Sequence, residues 1–393
     1  MPALPFALPP ILFLAAIFYV TFVSRIVLGP LLPVLESEFG LGHGAAGSLF
    51  LGLAVGYAGG LLGSGVISAR LNHRRTITLS SLAVGVTLLY LAGSSSVAGL
   101  RVGLTILGLS AGLYLPSGVA TLTDQVSEPH WGKALAIHEF APNLAYITAP
   151  LLAEALLRVV SWRGVLAVLG ILALCLGILF RVWGRGSTGR GAPPRGDAMW
   201  ELARDPSLWI LAALFVVGTG TTAGIYLMLP LFLVNEIRLD RELANTLIGL
   251  SRVSGLVIVF FSGWITDRIG PRLALGAYLT ATGVLTFTLG LLRGPVLTPT
   301  LVFLQSVASV GFHPAGFSLV SLLFAPRLRN LALSLVMVVG FLVGVGLLPT
   351  GIGYFAEAFS FSAAICIVGL VTLAAVPLIL RVHGSANGGG ARE

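Results

Sequence analysis

Two arginines stand alone inside long apolar stretches, Arg25 in FVSRIVLGPLLP and Arg252 in LIGLSRVSGLV. A guanidinium keeps its charge and presents a planar fork of N–H donors that matches carboxylate, nitrate, sulfonate or phosphate oxygens. At the centre of a membrane helix it costs at least roughly 2.5–3.5 kcal/mol, so a use for it is expected. Each lies about nine residues, or roughly 14 Å, inside the outer end of its stretch, too deep to reach the headgroups comfortably. Two guanidinia at one depth are expected to clamp a small anion. Carboxylates that would compensate them are few: Glu139 and, near the outer end of the same stretch, Glu154. Glu139, Asn143 and Tyr146 share one helical face by i, i+4, i+7 spacing, which suits a coupling carboxylate beside polar substrate contacts. His138 joins Glu139 as the second cation-coupling candidate. The HEFAP run does not bind zinc in the protease manner, because the second histidine would fall at Pro142. Tyr114 in GLYLPSG, His313 in GFHPAG and Tyr226 complete the expected substrate contacts as hydrogen-bonding groups.

The elements that position these residues are membrane helices. Of 393 residues 56% are hydrophobic and 10% charged, against roughly 25% charged in soluble proteins, which excludes a water-soluble fold. Apolar blocks predict twelve spans: 11–34, 45–67, 76–94, 100–122, 134–157, 163–182, 208–234, 243–265, 273–292, 298–323, 331–354 and 360–381. The fold class is therefore all-α and integral to the membrane. Residues 183–207, rich in Gly, Pro and Arg, read as a linker unable to bury a core. It separates a six-helix bundle at 1–182 from a second at 208–393. The uncharged N-terminus, MPALPFALPP, followed by a long apolar run, reads as the start of an uncleaved first span.

Basic residues fix the expected orientation. With both termini inside, fifteen Lys and Arg fall in cytoplasmic segments and six in outer ones, the other two being Arg25 and Arg252. The net charge of +8 is thus topological, and nucleic acid is not an expected partner. Cys175 and Cys366 lie in apolar blocks and read as small hydrophobes. No cofactor, metal ligand set, nucleophile elbow or phosphate loop is found, so an enzyme is not expected.

The halves repeat one another. Gly65 and Gly263 are 198 positions apart, Pro116 and Pro314 also 198, and the Leu-Pro pairs at 32–33 and 229–230 are 197 apart. Two parallel six-helix repeats joined by a linker form a transporter architecture, in which one half rocks against the other around a site near the midplane.

The sequence resembles the major facilitator superfamily over nearly its whole length. The family's loop motif, Gly-x-x-x-Asp-Arg-x-Gly-x-Arg, stands in the second half as GWITDRIGPR; in the first half it is GVISARLNHR, with Ala69 and Asn72 in place of Asp and Gly. The resemblance implies that Asp267, Arg268 and Arg272 form a conformational latch. Arg25 with Pro30, Pro33 and the following EFGL segment looks like the first span of the family's organic-anion symporters, where an arginine binds substrate carboxylate; Ser24 stands where many of them carry Asp. Where the family's proton antiporters carry Gly-Pro-x-x-Gly-Gly, this chain has Ala-Pro-Leu-Leu-Ala-Glu at 149–154. The expectation is a monomeric symporter in a bacterial cytoplasmic membrane, moving a small organic anion, a carboxylate first, with protons or sodium. An exporter of drugs, metabolites or lipids on the same fold is the alternative.

Overall fold

The computed structural model describes residues 8–191 and 196–382. The extreme termini, on which the orientation and the uncleaved start bear, and linker residues 192–195 lie outside the described residues. Among those described, eleven helices are long and apolar enough to cross a membrane, and a bent pair makes a twelfth. In chain order they are α1 (Leu8–Phe39), α2 (His43–Leu71), α3 (His73–Ala92), α4 (Val97–Gln125), α5 (Glu128–Leu157) and α6 (Trp162–Trp183). The second set is α7 (Pro206–Glu236), α8 (Arg241–Ser251 continued by Val253–Ile269), α9 (Pro271–Leu291), α10 (Leu297–Leu323), α11 (Pro326–Ala358) and α12 (Phe361–Arg381). All twelve expected spans are present. No strand occurs among the described residues.

The chain divides into two compact units: Met1–Leu41 with Leu49–Pro193, and Gly42–Ser48 with Pro194–Glu393. Within each, close helix pairs depend on glycine. In the first unit, a Cβ on Gly85 of α3 would lie 2.8 Å from the Gly170 carbonyl of α6. In the second, a Cβ on Gly283 of α9 would lie 3.2 Å from the Gly369 carbonyl of α12. These approaches need the missing side chain, as membrane helices associate by packing and not by expelling water. Gly85 and Gly283 are 198 positions apart, so the repeat extends to the packing of third and sixth spans in each unit.

Prolines explain several helix breaks. Pro30 has no N–H for the Ile26 carbonyl, and α1 is interrupted at Val27. Pro116 and Pro314 likewise deprive Gly112 and Val310, and α4 and α10 break at Leu113 and Gly311, equivalent positions of the repeat.

The linker is more structured than its composition suggests. Residues 184–191 pack on the first unit, where the backbone N–H groups of His73 and Arg74 donate to the carbonyls of Gly189 and Ser187 at 3.2 and 3.0 Å. These are orphan donors at the N-terminus of α3, so the linker supplies the cap. Gly196–Ala203 forms a helix whose Leu202 is buried in the core of the second unit. One well-placed leucine anchors a helix too short and polar to stand out by composition.

Candidate functional site

In the first unit, α1 presents Leu14, Phe18, Phe22 and Arg25 along one stripe, with spacings of four, four and three residues. Arg25 is 6% exposed. Its guanidinium lies over the ring of Tyr57 at 4.1 Å and over Phe22 at 4.6 Å. Among the described residues it makes no hydrogen bond or ion pair, and its Nε is buried without a partner. Cation–π attraction is worth about 0.5–2 kcal/mol, which offsets only part of the cost of burying the charge. The break at Val27 sits two residues beyond Arg25, at the level where the backbone is already irregular.

The stripe continues to the coupling candidates. Phe18 stacks on His138 at 4.5 Å and on Tyr114 at 5.3 Å, and Phe22 meets Tyr146 edge-on at 5.2 Å. The Tyr114 hydroxyl donates to the Leu14 carbonyl at 2.6 Å and lies 3.0 Å from Nε2 of the fully buried His138. With the hydroxyl proton already committed, Nε2–H is the donor in that second contact. Nδ1 is then left 3.3 Å from Oε1 of Glu139, whose side chain is 52% exposed. Two acceptors at that distance need one proton between them, held either on the imidazole or on the carboxyl. Asn143 donates through Nδ2 to the Glu139 backbone carbonyl at 3.0 Å.

In the second unit, Arg252 is 5% exposed and occupies the break inside α8. Its N–H donates to the Thr222 carbonyl at 2.8 Å, and its guanidinium lies 4.9 Å from the ring centre of fully buried Tyr226. Thr222 belongs to a π-helical turn, Gly220–Gly224. Such turns free carbonyls from the helical ladder and recur at functional sites. The neighbouring Thr221 carbonyl accepts from Gln305 at 3.0 Å, and Ser251 and Ser306 share a hydrogen bond of 3.0 Å.

The structure therefore joins Arg25, Tyr114, His138, Glu139, Asn143 and Tyr146 through one chain of contacts, and separately joins Arg252 to Tyr226. His313 stands apart: its ring meets those of Phe312 and Phe317, and it makes no hydrogen bond among the described residues. Asp267 has no hydrogen-bond or charge partner among the described residues, Arg268 stacks on Trp264 at 4.5 Å, and Arg272 donates to the Val382 carbonyl at 2.9 Å. Arg74, the repeat counterpart of Arg272, donates to the Arg181 carbonyl at 2.9 Å. In both units the last arginine of the motif thus fastens the end of the sixth span.

Residues missed from sequence are Phe18, Phe22 and Tyr57 around Arg25 and His138, and Gln305 with its hydroxyl neighbours. The stripe spacing on α1 and a lone glutamine inside an apolar block were the available signals.

The chain matches the profile of the Major Facilitator Superfamily over residues 12–302 and 253–391. It is 23% identical over 376 residues to the 4-hydroxybenzoate transporter PcaK of Pseudomonas aeruginosa, covering 86% of this chain and 84% of that protein. It is 29% identical over 170 residues to an MFS-type efflux pump of Mycolicibacterium smegmatis, 42% of this chain and 39% of the pump. Its fold superposes on the crystal structure of a D-xylose-proton symporter with a TM-score of 0.79, covering 97% of this chain and 99% of that one at 16% identity.

Proposed function

The chain belongs to the major facilitator superfamily, and from that premise we propose that it moves a small organic acid across the membrane by alternating access, with Arg25 as the contact to its carboxylate. The observation that carries this reading is the buried guanidinium of Arg25, set on two aromatic rings and without a carboxylate partner among the described residues. An anionic substrate supplies the missing charge and pairs with the fork bidentately. The rings of Tyr57 and Phe22 against it, with Tyr146 edge-on to Phe22, favour a flat, ring-bearing acid, in keeping with a relative named for 4-hydroxybenzoate. Arg252 donates an N–H to the Thr222 carbonyl and so ties α8 to the π-helical turn of α7.

Coupling falls to the Tyr114–His138–Glu139 chain. A proton held between His138 and Glu139 can leave through the exposed carboxylate, whose position on a membrane helix requires that it face water and not lipid. One imidazole nitrogen beside one carboxylate is a poor cage for sodium, a hard cation that wants several oxygens, so protons are the coupling ion.

The test is uptake of labelled 4-hydroxybenzoate into proteoliposomes under an inward proton gradient. Uptake is expected with the native chain and lost with Arg25→Ala at an unchanged melting temperature. Undiminished uptake by Arg25→Ala overturns the assignment. The efflux-pump relative supports a second reading, and substrate export against cationic dyes, with no acid uptake, would select it.

A further inference from the structure

Three guanidinia that the transport site does not use meet at one loop end of the first unit. Arg74 and Arg75 lie in the first turn of α3, and Arg181 lies in the last turn of α6. They line a cleft of about 630 Å³ that extends to the linker at Thr188, and no carboxylate lines it. Arg74 spends one N–H on the Arg181 carbonyl. The side chains of Arg75 and Arg181 have no hydrogen-bond or ion-pair partner among the described residues. Three like charges held close repel one another, which an anion between them relieves.

Away from the arginines the cleft turns apolar. Arg75, Leu79, Leu82 and Val86 follow one another at i, i+4, i+7 and i+11 on a single face of α3. Leu79 is 40% and Val86 60% exposed. Charged groups at a span's end that pass directly into an exposed apolar stripe match the layout of a phospholipid, phosphate at the interface and chains along the helix.

We infer that the cleft between α3, α6 and the linker is a binding site for one anionic phospholipid, its phosphate held by Arg74, Arg75 and Arg181 and its acyl chains lying along Leu79, Leu82 and Val86. Because the linker forms part of the rim, the bound lipid also holds residues 184–191 against the first unit. The shared recognition chemistry is a phosphate group, and the apolar stripe is what assigns it to a lipid over free phosphate.

The experiment uses the full-length protein in detergent, with melting temperature and native mass spectrometry read against dioctanoyl phosphatidylglycerol, dioctanoyl phosphatidylcholine and inorganic phosphate. Phosphatidylglycerol is expected to raise the melting temperature and to remain bound one per chain, while the other two do neither at equal concentration. Arg75→Gln with Arg181→Gln is expected to weaken phosphatidylglycerol binding at least about tenfold, at an unchanged melting temperature without lipid. Arg75→Gln alone, an exposed position, gives a smaller loss, and Arg75→Lys restores binding. Equal stabilisation by phosphatidylcholine removes charge recognition, equal stabilisation by inorganic phosphate makes this a free-anion site, and undiminished binding by the double variant places the lipid elsewhere; each overturns the assignment.

Discussion

At the scale of single residues, Arg25 and Arg252 differ in how their charge is met. Arg252 donates to a carbonyl and lies over one ring, whereas Arg25 lies over two rings and makes no hydrogen bond among the described residues. A lysine at position 25 keeps the charge but loses the planar fork and its stacking. Arg25→Lys is therefore expected to raise the KM for an acid substrate about tenfold or more, and KM near the native value would show that charge alone is recognised. Tyr57→Leu removes a cation–π contact of about 0.5–1 kcal/mol and should raise KM roughly twofold to fivefold. His138→Gln keeps a donor toward Tyr114 but cannot carry a proton toward Glu139. Exchange of substrate across the membrane should survive in that variant while accumulation driven by a pH gradient disappears; accumulation at the native level would remove His138 from the coupling path.

At the scale of elements, the loop after α2 shows how a degraded motif keeps its geometry. Asn72 takes φ 72° and ψ 165°, and its counterpart Gly270 takes φ 85° and ψ 149°. This region is almost restricted to glycine and costs about 1–3 kcal/mol for other residues. Asn72 offsets part of that cost by accepting a hydrogen bond from the Arg75 N–H at 3.0 Å, which caps α3. Asn72→Ala loses the cap and keeps the strain, so its melting temperature should fall by the equivalent of about 1–2 kcal/mol; Asn72→Gly relieves the strain and should stay within about 1 kcal/mol of native. A stable Asn72→Ala would mean the loop relaxes to another conformation. From sequence, Asn72 reads only as a departure from the family pattern, because a positive φ leaves no trace in composition. The spans, by contrast, are legible since each needs about twenty apolar residues, and Arg25 is legible because nothing apolar explains it. Phe18, Phe22 and Tyr57 escape notice for the opposite reason: aromatic residues in an apolar block look like ordinary lining. The linker helix at Gly196–Ala203 hides because Leu202, with the small Ala198 beside it, is all that its sequence offers to a core.

At the scale of the whole molecule, the repeat preserves scaffold and discards chemistry. Breaks at Leu113 and Gly311, close glycines at 85 and 283, and sixth-span ties from Arg74 and Arg272 all recur 198 positions apart. The groups proposed to bind and couple do not: Arg25 corresponds to Thr222, Arg252 to Ala54, and His138 and Glu139 to Val336 and Met337. Each unit owns a core, and each holds its own part of the linker, 184–191 in the first and Leu202 in the second. The site at which the chain can be severed follows from this division. Two polypeptides ending at Pro193 and starting at Pro194 keep both sets of linker contacts. Co-expressed, they should restore a large fraction of the intact chain's uptake. A cut after Trp183 moves residues 184–191 to the other polypeptide, so the N–H groups of His73 and Arg74 lose carbonyl caps tethered within their own unit. That pair should assemble less completely and transport far less, measured as uptake per mole of both fragments recovered in the membrane. Equal uptake from the two cuts would show that the linker's hold on the first unit is dispensable.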